Sequence, residues 1–85
     1  MRTKNHGGDG SSKEMAVVIE AANILIGTDA EYAHIGGTCG LQGRDWSLLR
    51  QSTFHSKGRT YDQIEVRLSD GRQKTFYFDI TTLMD

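Results

Sequence analysis

The stretch Tyr61-Asp62-Gln63-Ile64-Glu65-Val66-Arg67-Leu68-Ser69-Asp70-Gly71-Arg72-Gln73-Lys74-Thr75-Phe76-Tyr77-Phe78-Asp79-Ile80 decides the fold class. Ile64, Val66 and Leu68 share one parity, and Phe76, Phe78 and Ile80 share the same parity beyond the turn. Side chains of a strand alternate between its two faces, so the pattern predicts an antiparallel hairpin with one apolar face. The turn must have an odd length. A two-residue Asp70-Gly71 loop would pair Val66 with Thr75 and place the two apolar sets on opposite faces. The loop Ser69-Asp70-Gly71, with Gly71 left-handed, instead pairs Ile64 with Phe76.

Working outward, Trp46–His55 reads as a third strand, with Trp46, Leu48 and Phe54 on one parity. The same rule applied to Ser56-Lys57-Gly58 places Ser52 opposite Asp62 and Arg50 opposite Ile64. Arg50 and Asp62 then become diagonal neighbours, an expected structural ion pair at the margin of the apolar face.

Upstream, Met15, Val18, Ile19, Ala22, Leu25 and Ile26 recur at helical spacing, with Ser11 and Glu14 at capping-box spacing and Gly27 as a stop. Against this, Val17-Val18-Ile19 and Ile24-Leu25-Ile26 are β-branched runs that suit strands. Within Thr28–Gly37, Glu31–Gly36 reads as a short strand, with a short helix capped by Thr28 and Glu31 and ending at Gly36 as the other reading. Residues 1–12 are rich in Gly and Ser and read as a disordered tail, leaving 13–85 as a single small domain. The expected fold is α+β, with one N-terminal amphipathic helix packed on a three- or four-stranded antiparallel β-meander. The alternative is an all-β domain.

A chain of 85 residues supports one core. The net charge of −1 lacks the basic excess of a generic polyanion binder. Cys39 is the single cysteine, so a disulfide framework and a thiolate zinc cage are both excluded, in keeping with a reducing compartment. The first residues carry no apolar run of signal-peptide length. Met15–Ile26, the longest apolar-rich stretch, is interrupted by Glu20 and Asn23 and is too short to span a bilayer. The expected location is cytoplasmic, with no membrane association.

Three patterns invite chemistry. Gly37-x-x-Gly40-x-x-Gly43 has phosphate-loop spacing but lacks the lysine and hydroxyl that such loops use. His34, Cys39 and Asp45 are the residue types of a thiol nucleophile with base and orienter, and with Arg44 they form a candidate ligand loop. On the polar face of the hairpin, Arg59, Tyr61, Arg67 and Tyr77 form a candidate interaction surface of the kind that stacks bases and contacts phosphate. Glu65 and Asp79 oppose nucleic acid there by charge. His6, His34, His55 and Cys39 lack paired metal-ligand spacing, so neither metal nor cofactor is expected. No acid, base, nucleophile and ligand set converges. The leading reading is therefore a non-enzymatic protein-interaction or accessory module. Its partner is an unknown protein, or a second copy joined through Tyr77–Ile80 as an edge strand. The alternatives are a small ligand-binding or thiol enzyme domain using Gly36–Asp45, and single-stranded nucleic-acid binding on the sheet face.

Overall fold

A computed structural model describes residues 4–8, 10–20 and 24–81. Five strands and one helix follow in the order β1 (Lys4–Gly7), β2 (Val17–Glu20), α1 (Ile24–Cys39), β3 (Trp46–Ser56), β4 (Arg59–Leu68) and β5 (Gln73–Asp79). One sheet contains all five strands in the order β1-β2-β5-β4-β3. The fold is α+β. The meander β3-β4-β5 is antiparallel as expected, but β2 lies parallel to β5 through Val17↔Phe78 and Val18↔Asp79, so the sheet is mixed.

The hairpin that anchors the sequence reading forms in the expected register, with Ile64 opposite Phe76. Its three-residue loop closes through Gly71 N–H to the Leu68 carbonyl at 2.9 Å and Leu68 N–H to the Arg72 carbonyl at 2.7 Å. Gly71 takes φ +89, a left-handed backbone that glycine adopts without steric cost.

Several expectations on the N-terminal half are corrected. Lys4–Gly7 is an edge strand paired antiparallel with β2, where a disordered tail was expected; residues 1–3 and 9 lie outside the described residues. The helix expected from Met15 to Ile26 is not formed: Val17–Glu20 is a strand, and residues 21–23 lie outside the described residues. The β-branched run Val17-Val18-Ile19 wins because both flanks of β2 supply backbone partners, and Val17 and Ile19 are buried. Glu31–Gly36, expected as a strand, is helical, and Gly36 and Gly37 belong to the last turns of α1. A 16-residue helix also overturns the all-β alternative. The helix ends at Gly40, whose N–H meets the Gly36 carbonyl at 2.9 Å and whose φ of +103 makes the left-handed stop.

The core lies between α1 and one face of the sheet. Ala30 and Ile35 meet Val17, Ile19, Ile64, Val66, Phe76, Phe78 and Trp46. Phe76 and Phe78 are nearly fully buried, each worth about 2 kcal/mol in removed apolar surface. Trp46 ties the helix end to β3: its indole N–H donates to the Gly40 carbonyl at 2.9 Å, and Tyr32 meets it edge-on at 6.1 Å.

The first hairpin departs from its expected form. Ser56 pairs with Arg59, so the loop is Lys57-Gly58 alone, with φ of +52 and +79. Two left-handed residues make a type I′ turn, whose twist suits a two-residue hairpin. The register conflict is absorbed within β3 by a bulge between Leu48 and Arg50. Before the bulge Leu48 pairs with Val66, in the expected register; beyond it Arg50 pairs with Glu65 and Phe54 with Tyr61. Phe54 therefore leaves the core face.

Lysine is poorly suited to the first position of such a turn, where asparagine is preferred. Lys57→Asn is expected to stabilise the fold by about 0.5–1 kcal/mol, because left-handed backbone costs a lysine about 1–2 kcal/mol. A thermal melt checks this; an unchanged or lowered midpoint would reject the two-residue turn.

Candidate functional site

The bulge redistributes the polar residues of the sheet. The expected Arg50–Asp62 pair does not form, because the shifted register turns Arg50 to the face away from α1. There its guanidinium meets Glu65 at 3.0 Å. Asp62 stays buried on the helix side and accepts the Thr53 hydroxyl at 2.6 Å. Lys74 lies exposed at the margin of that side, its ammonium 5.5 Å from the centre of the Phe76 ring.

Asp62 also faces Glu31 of α1, which is not among the expected site residues. Glu31 is only 1% exposed, and its Oε2 has no hydrogen-bond partner. Burial pushes the Glu31 carboxyl up to about 9, and the hydrogen bond to Asp62 and its charge add to the effect. Glu31 thus holds its proton at neutral pH. Its position one helical turn before buried Ile35 is the one signal that marked it as inward-facing. A neutral carboxylic acid in apolar surroundings is chemically suited to acid catalysis. The buried Oε2 is closed to a substrate, however, so the pair acts as a structural contact between helix and sheet.

The face turned away from α1 gathers part of the candidate interaction surface. Phe54 stacks on Tyr61 with ring centres 5.3 Å apart and meets Tyr77 edge-on at 6.5 Å. All three rings are half-buried. Arg59 donates from Nε to Asp79, which also accepts the Thr81 hydroxyl at 2.6 Å. Burial alone would raise the Asp79 carboxyl, but the bonds from Arg59 and Thr81 outweigh it and hold it below the usual carboxylate range. Arg67 is exposed near the far end of β4, about 20 Å along the strand from Tyr61. Arg59, Tyr61 and Tyr77 therefore come together with Phe54, and Arg67 does not join them. Phe54 was missed because its parity is set by the bulge.

Lys13 reaches the Ser56 hydroxyl at 3.0 Å. Lys13 lies in the segment before β2, so this bond joins that segment to the far strand of the meander.

The edge is misplaced in the sequence reading. β5 is central, flanked by β2 and β4, and the outer strand of the meander is β3. It is 11 residues long and exposed along most of its length, with Leu48 and Leu49 each 40% exposed. The turn and register settle which of its backbone groups are used. Ser56 and Arg59 close a two-residue hairpin as a hydrogen-bonded pair, and such pairs alternate along the ladder. Arg50, Ser52, Phe54 and Ser56 bond to β4, and the backbone groups of Gln51, Thr53 and His55 point outward.

The expected ligand loop is divided among three concavities. Cys39 and Asp45 line one of about 340 Å³ with Thr38, Asp70, Arg72 and Lys74. His34 borders a smaller one of about 170 Å³ with Lys74 and Phe76, its ring edge-on to Phe76 and Phe78 at 6.0 and 5.6 Å. Arg44 lines a third of about 140 Å³. Asp45 accepts the Leu41 N–H at 2.7 Å and pairs with Arg44 at 2.9 Å, which fixes the loop. A side chain at Gly40 would collide with that carboxylate. Cys39 sits at the carbonyl end of α1, where the helix dipole disfavours a thiolate. Burial pushes its thiol up further, with Lys74 opposing in part. The arrangement is poor for a thiol nucleophile. Among the described residues, no cluster of three or more His, Cys, Asp or Glu is arranged to hold a metal ion, and no helix is long and apolar enough to cross a membrane.

Comparison with protein-family models, curated proteins and solved structures finds no match to this chain.

The protonated Glu31 sets a pH slope. Unfolded, the carboxyl ionises near its ordinary value of 4.5; folded, it keeps its proton to about 9. Its contribution to stability is complete at low pH and declines as pH rises between those limits. Glu31→Gln removes the ionisation and is expected to melt several degrees above the natural chain at pH 8, with a much smaller difference at pH 4. Parallel melting curves across pH check this; a constant gap would show that Glu31 is ionised in the folded state.

Proposed function

We propose that this chain is a non-enzymatic protein-interaction module that receives an extended segment of another protein along β3. The observation that carries the reading is the outer edge of the meander. Gln51, Thr53 and His55 direct outward backbone donors and acceptors that, among the described residues, pair with no other strand, in the regular half of a strand of 11 residues. Such an edge is a template for strand addition, in which backbone bonds supply affinity and neighbouring side chains supply choice. Proteins that keep an edge closed place proline or several charges on it, or cover it. Here the chain has no proline, and Arg50 is the one Asp, Glu, Lys or Arg in β3. The single free thiol suits a reducing, cytoplasmic setting.

A second reading, a small-ligand domain, is favoured by one observation: the concavity of about 340 Å³ beneath the end of α1, where Lys74 and Arg72 stand beside Cys39. Its size falls within the range of ligand pockets, but its lining is mostly polar and exposed.

Peptides selected by display on the full chain separate the readings. Gln51→Pro removes an outward-pointing N–H without breaking the β4 ladder, so folding is preserved. Binding is expected to fall at least about tenfold in Gln51→Pro, the loss of one or two backbone bonds, and to persist in Lys74→Ala. Dependence on Lys74 with indifference to Gln51→Pro would favour the ligand site instead.

A further inference from the structure

The chemistry of the segment that β3 receives is written in the charges around its turn end, and this step rests on the interaction-module reading above. β3 contains no acidic residue. Its hairpin end is surrounded by cationic groups. Lys57 is exposed in the turn, and among the described residues it has no ion-pair partner. Lys13 is held at Ser56 with its ammonium 3.0 Å from the hydroxyl. Arg59 begins β4 half-exposed. Arg50 lies farther along, tied to Glu65 but still 69% exposed. Two carboxylates near this end are buried and bonded, Asp79 to Arg59 and Thr81 and Asp62 to Thr53, while Glu14 beside Lys13 is exposed.

We infer that the occupant of this edge is an extended acidic peptide segment of another protein, added as a sixth strand beside Arg50–Ser56. A second copy of this chain fits less well. The bulge limits regular pairing to Arg50–Ser56, whose midpoint is Thr53. Antiparallel self-pairing about Thr53 sets Arg50 of each copy opposite Ser56 of the other, against its Lys13 and Lys57, and like charges so placed repel. An acidic strand replaces both repulsions with attraction. Its backbone meets Gln51, Thr53 and His55. On the face away from α1, side chains flanking the small Ser52 and Ser56 have room, and an apolar one covers Phe54.

The probe is a capped peptide of alternating Thr and Val with Glu at both ends, with a Lys-ended counterpart, titrated into the full chain and followed by backbone amide shifts. The expected result is movement centred on Gln51, Thr53 and His55 with the acidic peptide, and little response to the basic one. Lys57→Asp keeps a residue suited to the left-handed turn while reversing the charge. It is expected to weaken acidic-peptide binding about fivefold or more, the scale of an exposed ion pair gained or lost, and to improve the basic peptide. Equal binding of both peptides overturns the acidic assignment and leaves strand addition standing. Shifts at these amides that grow with protein concentration alone assign the edge to a second copy. Shifts confined to Tyr61 and Tyr77 remove the edge but keep a protein-binding face. Absence of any shift overturns this proposal, and if Gln51→Pro also leaves display-selected binders unaffected, the module reading falls with it.

Discussion

The bulge between Leu48 and Arg50 is the constraint on which the arrangement of this sheet depends. Two demands meet in β3. Trp46 must point toward α1 to cover Ile35 and bond to Gly40, and Lys57-Gly58 must close a hairpin whose twist suits two left-handed residues. With an uninterrupted strand these demands put side chains on opposite faces, because a one-residue shift flips every position. The inserted residue resolves the conflict. It also sends Phe54 to stack on Tyr61, brings Arg50 to Glu65, and leaves Thr53 to satisfy Asp62.

The helix side carries the second tension. A stripe containing Glu31 and His34 would not be expected to bury well, yet Glu31 lies against Asp62 and His34 against two phenylalanine rings. Protonation of Glu31 makes this tolerable, since a neutral acid beside a carboxylate avoids burying two negative charges.

The proposed function rests on what the architecture leaves uncovered. The β2–β5 parallel pair places β5 in the centre and so protects the last strand, while β3 lies at the rim, with no strand on its outer side among the described residues. The cationic groups clustered at its turn end come from three parts of the chain, the segment before β2, the β3–β4 turn and the start of β4. A net charge near neutrality conceals that local excess.

The residues by themselves determined the β4–β5 hairpin, its odd loop with Gly71, and the presence of a strand from Trp46. Each of these follows from period-two patterning and local turn chemistry, which depend on near neighbours. The tertiary structure alone decided the rest. Val17–Glu20 became a strand because backbone partners arrive from Lys4–Gly7 and from β5, far away in sequence. Ile24–Cys39 became the helix although its inward stripe includes a buried acid and a half-buried histidine, which hides it from any apolar count. The candidate residues divided for the same reason. Tyr61 and Tyr77 share a face by parity, whereas the positions of Phe54 and Arg50, the exposed edge and the pairing of Glu31 hang on one inserted residue and on which strands meet, and both are settled by long-range packing.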